Sequence, residues 1–311
     1  MRIGSRGSAL ALAQAGHVAG LLEAHQPHPP VEIITISTSG DSDGRGSESP
    51  LSDKSRWVDT IEQALVADEI DLAVHSAKDV PSELAEGLEL LGAPARAAAE
   101  DVLCGAESLD ALPAEARIGT SSVRRAAQLR AVREDLEIVM LAGNVDTRLR
   151  KLTSPDGGGL HAIVLAHAGL QRLGRESDIG AVLDPQRFVP APGQGVLALE
   201  VRAQDTRVRE AVQEITDADT FACLLAERTL ARELGASCNT PLGAHAAPAG
   251  CGCLLLHAWA GLPDGSAWVA DELLGGFYDP AALGQRVAER MLAAGAGELL
   301  RRAEEMAIEH A

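Results

Sequence analysis

The sequence predicts an α/β protein over its first two-thirds, followed by a smaller α+β unit. Three observations carry that expectation. Short apolar runs alternate with amphipathic stretches from residue 31 to residue 201, the pattern of strands and helices in turn. Two breaks, Gly92-Ala93-Pro94-Ala95-Arg96 and Val189-Pro190-Ala191-Pro192-Gly193-Gln194-Gly195, interrupt the alternation and read as hinges or linkers. After the second break and one more strand, a long helical pattern gives way to two strands and further helices.

The elements follow in order. Residues 2–4 form a first strand, and Arg6-Gly7-Ser8 leads into a helix from about Ser8 to His25. A strand over 31–36 precedes the Ser-, Asp- and Gly-rich segment 40–56, whose composition predicts a mobile loop. Helical spacing covers 57–67, and Asp71-Leu72-Ala73-Val74 is a strand that turns into the polar tip His75-Ser76-Ala77-Lys78-Asp79. Arg117-Ile118 ends another strand, after which Val123, Ala126, Ala127, Leu129 and Val132 recur at helical spacing. Strands over 137–141, 162–165 and 196–201 complete the alternation. A helix near 217–234, strands over 254–260 and 267–272, and C-terminal helices make up the last unit.

Composition excludes several partners. The 311 residues include 45 acidic and 27 basic side chains, a formal net charge of -18, and such a field repels nucleic acid and anionic membrane. Aromatic residues are only 2%, too few for base-stacking platforms. No run of 18 apolar residues predicts a membrane span, and the N-terminal Met1-Arg2-Ile3-Gly4 lacks a signal-peptide pattern, so a cytoplasmic protein is expected. Five cysteines without C-x-x-C spacing indicate neither a disulfide framework nor a zinc ribbon, and no metal site is expected.

Candidate chemistry gathers at strand ends, where open α/β sheets bind ligands. Gly119-Thr120-Ser121-Ser122-Val123-Arg124-Arg125 puts three hydroxyls and two guanidinium groups at a helix start. Arginines there oppose the helix dipole, which fits either an anion clamp or a solvated arginine face. Lys78-Asp79 is either a cleft carboxylate held ionised by its neighbour or a loop ion pair. Gly143-Asn144-Val145-Asp146-Thr147-Arg148 is a capped helix start that presents a guanidinium, and Arg6 and Ser8 occupy the corresponding place after the first strand. Cys238 lies in the small-residue stretch Gly235–Gly243, which predicts a reachable thiol open to covalent attachment. Cys251-Gly252-Cys253 reads as strand-end packing, His25 and His28 as solvated, and Asp156-Gly157-Gly158-Gly159 as a turn.

Together these motifs resemble the porphobilinogen deaminase (hydroxymethylbilane synthase) family over essentially the whole chain. The resemblance rests on Arg6-Gly7-Ser8-Ala9-Leu10-Ala11, Ala73-Val74-His75-Ser76-Ala77-Lys78-Asp79-Val80-Pro81, the 119–125 stretch, Gly143-Asn144-Val145-Asp146-Thr147-Arg148-Leu149, Pro192-Gly193-Gln194-Gly195 and the Cys238 loop, in family order and spacing. It implies two domains like those of periplasmic binding proteins, 1–94 with 196–213 returning to it and 99–190, and a third over 217–311. It further implies a dipyrromethane attached to Cys238 as a thioether, and stepwise condensation of four porphobilinogens with loss of ammonia. Asp79 and Lys78 would be catalytic. Ser76, Lys78, Asp79, Thr120, Ser121, Ser122, Arg124, Arg125 and Arg148 would hold the cofactor, and Arg6, Ser8, Lys54, Arg148, Arg172 and Gln194 the substrate. A monomer is expected from the family.

This chain departs from the family pattern at three places. Ser52-Asp53-Lys54-Ser55-Arg56-Trp57 keeps the loop lysine without its glycines, Ala142 replaces an arginine, and Ala97-Ala98-Ala99-Glu100-Asp101 replaces an Asp-Pro-Arg-Asp-like stretch. A diverged paralogue with weak turnover, or a small-anion binding module using the same cleft, is the alternative; a binding module has no need of a thiol on a third domain.

Overall fold

A computed structural model describes residues 1–25, 30–37, 55–81, 83–154, 157–237, 240–250 and 252–309. Its strands form three sheets. The first contains β1 (Arg2–Arg6), β2 (Glu32–Ile36), β3 (Leu72–Ser76), β4 (Leu88–Gly92) and β10 (Leu197–Arg202), in the order β2-β1-β3-β10-β4. The second contains β5 (Asp101–Cys104), β6 (Arg117–Gly119), β7 (Glu137–Val139), β8 (Ala162–Ala166) and β9 (Ala181–Val182), in the order β7-β6-β8-β5-β9. In each, three neighbouring strands run parallel and the fourth is antiparallel. The two lobes therefore share one plan.

That fourth strand explains the two breaks in the sequence. The chain leaves the first sheet after β4 to enter the second at β5, and returns through 189–196 to β10. The two crossings run against each other: Ala97 N donates to Gly195 O at 3.2 Å, and the Gln194 side chain donates to Ala99 O at 2.7 Å. Gly195 has φ +85°, and a Cβ there would lie 2.5 Å from Ala97 O, so only glycine fits both the conformation and the gap.

Helices cover both lobes. The first sheet packs against α1 (Ala9–His25), α2 (Ser55–Val66) and α6 (Thr206–Ile215), the last through Val208, Val212 and Ile215. The second is covered by α3 (Val123–Val132), α4 (Val145–Thr153) and α5 (His167–Arg172), which bury Leu129, Leu149 and Leu170. Two apolar clusters flank this sheet because its strands are buried on both sides, as parallel strands require.

The third sheet is an antiparallel meander of β11 (Leu242–Pro248), β12 (Cys253–Gly261) and β13 (Trp268–Gly276). One face is covered by α7 (Ala218–Glu233), α8 (Pro280–Ala293) and α9 (Ala296–Glu309). Glu227 on α7 is fully buried, yet its carboxylate accepts from Arg96 Nη1 at 2.6 Å, Gly193 N at 2.6 Å and Ala246 N at 2.7 Å. A buried charge is tolerable only when paired and hydrogen-bonded in this way. Glu227 thus ties both crossings to the third unit. No helix among the described residues is long and apolar enough to cross a membrane.

Candidate active site

The segments after β3, β6, β7 and β8 bring Lys78, Arg125, Arg148 and Arg172 toward the crossings between the lobes. After β3, Ala77–Asp79 forms a single 3-10 turn carrying Lys78 and Asp79. The returning crossing packs directly on this turn: Gly193, at φ +73°, leaves no room for a Cβ, which would lie 2.9 Å from Ala77 Cβ and 3.1 Å from Lys78 N. Lys78 Nζ donates to Gln194 Oε1 at 3.3 Å. The same amide oxygen accepts from Arg125 Nη2 at 3.4 Å, so one buried side chain joins a cation of each lobe.

Facing this turn, Ser122 caps α3 by accepting from Arg125 N, and Asn144 caps α4 by accepting from Thr147 N. These caps fix where Arg124, Arg125 and Arg148 leave their helices. Arg124 and Arg125 converge on Asp101 at the start of β5, each with a 2.8 Å contact to its carboxylate. Arg124 also donates to Val189 O, and Arg125 to Val164 O. Burial alone would raise the Asp101 carboxyl, but the two guanidinium charges and hydrogen bonds from Arg124 and Gln194 hold it well below the ordinary carboxylate range. The two arginines are thus anchored in the wall, where one acid answers two cations. Arg124 Nε has no acceptor among the described residues, although it is shut off from solvent.

Arg148 is half-buried, and its Nε donates to Gly143 O at 2.6 Å. Burial, with repulsion from Arg125, lowers its guanidinium to about 10, and Asp79 opposes the shift. The charge of Asp79 in one lobe therefore reaches Arg148 of the other. Arg172, at the end of α5, is lowered to about 10 by burial and donates to Gly195 O at 2.7 Å. Arg6 stands half-buried at the end of β1.

The hydroxyls are equally ordered. Ser8 Oγ accepts from Ala11 N, Ser76 Oγ from Gln14 Nε2, Thr120 Oγ1 from Ser122 N and Ser122 Oγ from Arg125 N. Each oxygen accepts one such hydrogen bond, and its O–H is oriented by it and can donate to a ligand. Ser121 lies between them, half-buried. Among the described residues, Lys78, Arg124, Arg125, Arg148 and Arg172 thus gather around Gln194, Asp101 and the turn that carries Asp79. Within a protein of net charge -18 this is a local positive well. The orphaned Arg124 Nε, the surplus of guanidinium forks and the pre-set O–H donors fit a ligand carrying several carboxylates.

Gln194 is fully buried, with Nε2 donating to Ala99 O and Asp101 Oδ1, so it braces Lys78 and Arg125 from behind. Lys54 and Cys238 lie outside the described residues, as do His28, Asp156 and Cys251. Among the described cysteines, burial pushes Cys104 up to about 11 and Cys223 up to about 12, which leaves both thiols inert. Two members of the site were not singled out from sequence. Asp101 is visible there only as an acid opening an apolar strand, and Gln14 as a polar residue on the buried side of the first helix.

A two-lobed α/β cleft with this lining defines a class of protein suited to a small polycarboxylate ligand. Comparison with known proteins narrows the class. Residues 1–210 match the family described as porphobilinogen deaminase, dipyromethane cofactor binding domain, and residues 221–293 match porphobilinogen deaminase, C-terminal domain. The chain is 45% identical over 303 residues to a porphobilinogen deaminase of Deinococcus radiodurans, covering 96% of this chain and 97% of that one. It is also 45% identical over 305 residues to one of Stenotrophomonas maltophilia, covering 96% and 98%. Among solved structures it is similar to the methionine-binding protein MetQ, at 14% identity and TM-score 0.42, over 69% of this chain and 87% of that one. The chain belongs to the porphobilinogen deaminase family. It is an enzyme, a transferase of the hydroxymethylbilane synthase type, with a domain that binds a dipyrromethane cofactor. The small-anion binding module is not favoured, because the matches run through the third unit as well as the cleft.

Proposed function

We propose that the cleft condenses four porphobilinogen molecules, each with loss of ammonia, and releases the linear hydroxymethylbilane. The observation that supports this reading is Gln194 Oε1, which joins Lys78 of one lobe, on the turn that carries Asp79, to Arg125 of the other. When bound, the dipyrromethane supplies the pyrrole carbon to which the first substrate is joined. Arg124, Arg125 and Arg148, with Ser76, Thr120, Ser121, Ser122 and Lys78, hold its acetate and propionate groups. Arg6, Ser8, Lys54, Arg148 and Arg172 hold those of the incoming substrate. Gln194 serves by fixing Lys78 and Arg125.

Asp79 performs the electrostatic work. Its carboxylate accepts pyrrole N–H groups and stabilises positive charge that develops as ammonia leaves. Lys78, held on Gln194, keeps an adjacent positive charge that favours the ionised acid. The domains 1–94 with 196–213, 99–190 and 217–311 are the units between which the growing chain is accommodated, with the paired crossings as hinge. Attachment is a thioether at Cys238, and the buried, poorly ionising thiols of Cys104 and Cys223 support that choice. The protein works as a cytoplasmic monomer, without nucleic acid or membrane, a reading supported by its acidic surface.

Incubation of the purified protein with porphobilinogen tests the reading. Ammonia and hydroxymethylbilane are expected in a ratio of about four to one, with turnover lowered on the order of 10²-fold in Asp79→Ala. Near-normal kcat in that variant removes Asp79 from the mechanism.

A further inference from the structure

The two ends of the Lys78–Asp79 turn are held by different parts of the chain. The entry is held by its own sheet: Ser76 pairs with Leu197 of β10, and Ala77 N donates to Val196 O at 3.0 Å. Past the turn the chain leaves that sheet, since β3 ends at Ser76 and β4 begins at Leu88. There the third unit supplies a fork, Arg228 of α7. Its Nη1 donates to Val80 O at 3.1 Å and its Nη2 to Pro81 O at 2.6 Å. Both bonds are charge-assisted, and two donors on one planar group fix direction as well as distance.

Arg228 ends a stripe along α7. Phe221, Leu224 and Arg228 follow at spacings of three and four, and so lie on one face of the helix. Leu224 shares an apolar cluster with Ala77 and Val80, and Phe221 packs against that cluster. The stripe thus covers the turn with apolar side chains and grips its exit with the fork. Glu227, the residue before Arg228, accepts from Arg96 Nη1 and Gly193 N and fixes the helix itself on the crossings. A side chain projecting from a helix held in this way is a rigid support.

We infer that Arg228 is a positioning residue for the reaction: by holding Val80 O and Pro81 O it keeps the turn, and with it the Asp79 carboxylate, in the place the chemistry requires. It acts through the backbone that it binds. A misplacement of about 1 Å at a reacting group can cost on the order of 10²-fold in rate, so a modest loosening of the turn is enough to register. The effect on turnover rests on the proposed role of Asp79, whereas the grip on the turn does not.

Arg228→Met and Arg228→Lys, compared as holoenzymes, supply the test. Methionine keeps an unbranched stem and loses both donors, whereas lysine keeps one charged head without the fork. Hydrogen exchange of the peptide spanning 76–81 is expected to be about tenfold faster in Arg228→Met, the scale of one lost charge-assisted hydrogen bond, and intermediate in Arg228→Lys. For porphobilinogen, kcat is expected to fall about tenfold in Arg228→Met with KM little changed, and less in Arg228→Lys. Added to Asp79→Ala, the same substitution is expected to lower kcat no further, because the group it positions is gone; a general structural defect would lower it again. Unchanged exchange in Arg228→Met overturns the grip. Additive losses of kcat, or a loss confined to KM, overturn the positioning role. Arg228→Lys carries the same comparisons if the methionine variant does not fold. Near-normal kcat in Asp79→Ala refutes the functional reading and the effect on turnover with it, while faster exchange in Arg228→Met still establishes the grip.

Discussion

Asp101→Asn removes one negative charge from the point where two buried arginines meet. The carboxylate lies 2.8 Å from Arg124 Nη1, 2.8 Å from Arg125 Nη2 and 2.8 Å from Gln194 Nε2, and its side chain is 1% exposed. After substitution, Arg124 and Arg125 repel without a counter-ion, and the new amide turns N–H donors toward guanidinium donors. Breaking a buried pair by removing one partner costs about 3–5 kcal/mol. A loss of at least that size is expected, centred on the lobe built on β5, β6 and β8. Urea unfolding of the cofactor-free protein, followed with exchange of the 101–104 amides, measures it. The sign with pH is fixed by the lowered carboxyl. Its contribution is present above the unfolded value of about 4 and is lost only as pH falls through the folded value. The gap between variant and wild type is thus expected to stay constant between about pH 5 and 8 and to close only in stronger acid. A loss under about 1 kcal/mol would refute the view that Asp101 neutralises the pair. Adding Arg124→Met to Asp101→Asn is expected to restore part of the loss.

Much of this arrangement was legible in the sequence, and the rest was hidden by long-range contacts. The strand-end motifs at 6–8, 76–79, 119–125 and 143–148 pointed to a common cleft, because parallel strands present their carboxyl ends on one side. The two Pro-Gly breaks marked the crossings. What spacing could not show is that Arg124 and Arg125 are held by Asp101, since the strand carrying that acid joins the sheet by a topology invisible in local pattern. The strand Leu242–Pro248 also escaped notice. Its Gly, Ala and Pro have little intrinsic strand preference, and only pairing with β12 and burial of Ala244 and Ala246 make it one. Strand Leu88–Gly92 was masked by the break that starts at its own last residue.

Other expectations follow from the same contacts. Gly195→Val places a branched side chain at φ +85° against Ala97 O and Ala98 O, and is expected to cost about 3 kcal/mol or more, read as a lower urea midpoint. Arg148→Lys loses the fork and the Nε contact with Gly143 O, and is expected to raise KM for porphobilinogen about tenfold with a smaller change in kcat. Ala142→Arg is expected to speed elongation and reduce partly extended enzyme species seen by mass spectrometry. If it does neither, Lys151, whose Nζ already reaches Ala142 O at 3.4 Å, supplies the cation there.

Condensation in this cleft, as proposed, requires a chain anchored to the third unit at Cys238. Intact-protein mass tests it most directly. The wild-type protein is expected to exceed its sequence mass by two condensed pyrrole units, the peptide containing Cys238 is expected to carry the whole excess, and Cys238→Ser is expected to fold with the bare sequence mass. An active wild-type protein at the bare sequence mass, or an excess that persists in Cys238→Ser, would rule out Cys238 as the anchor.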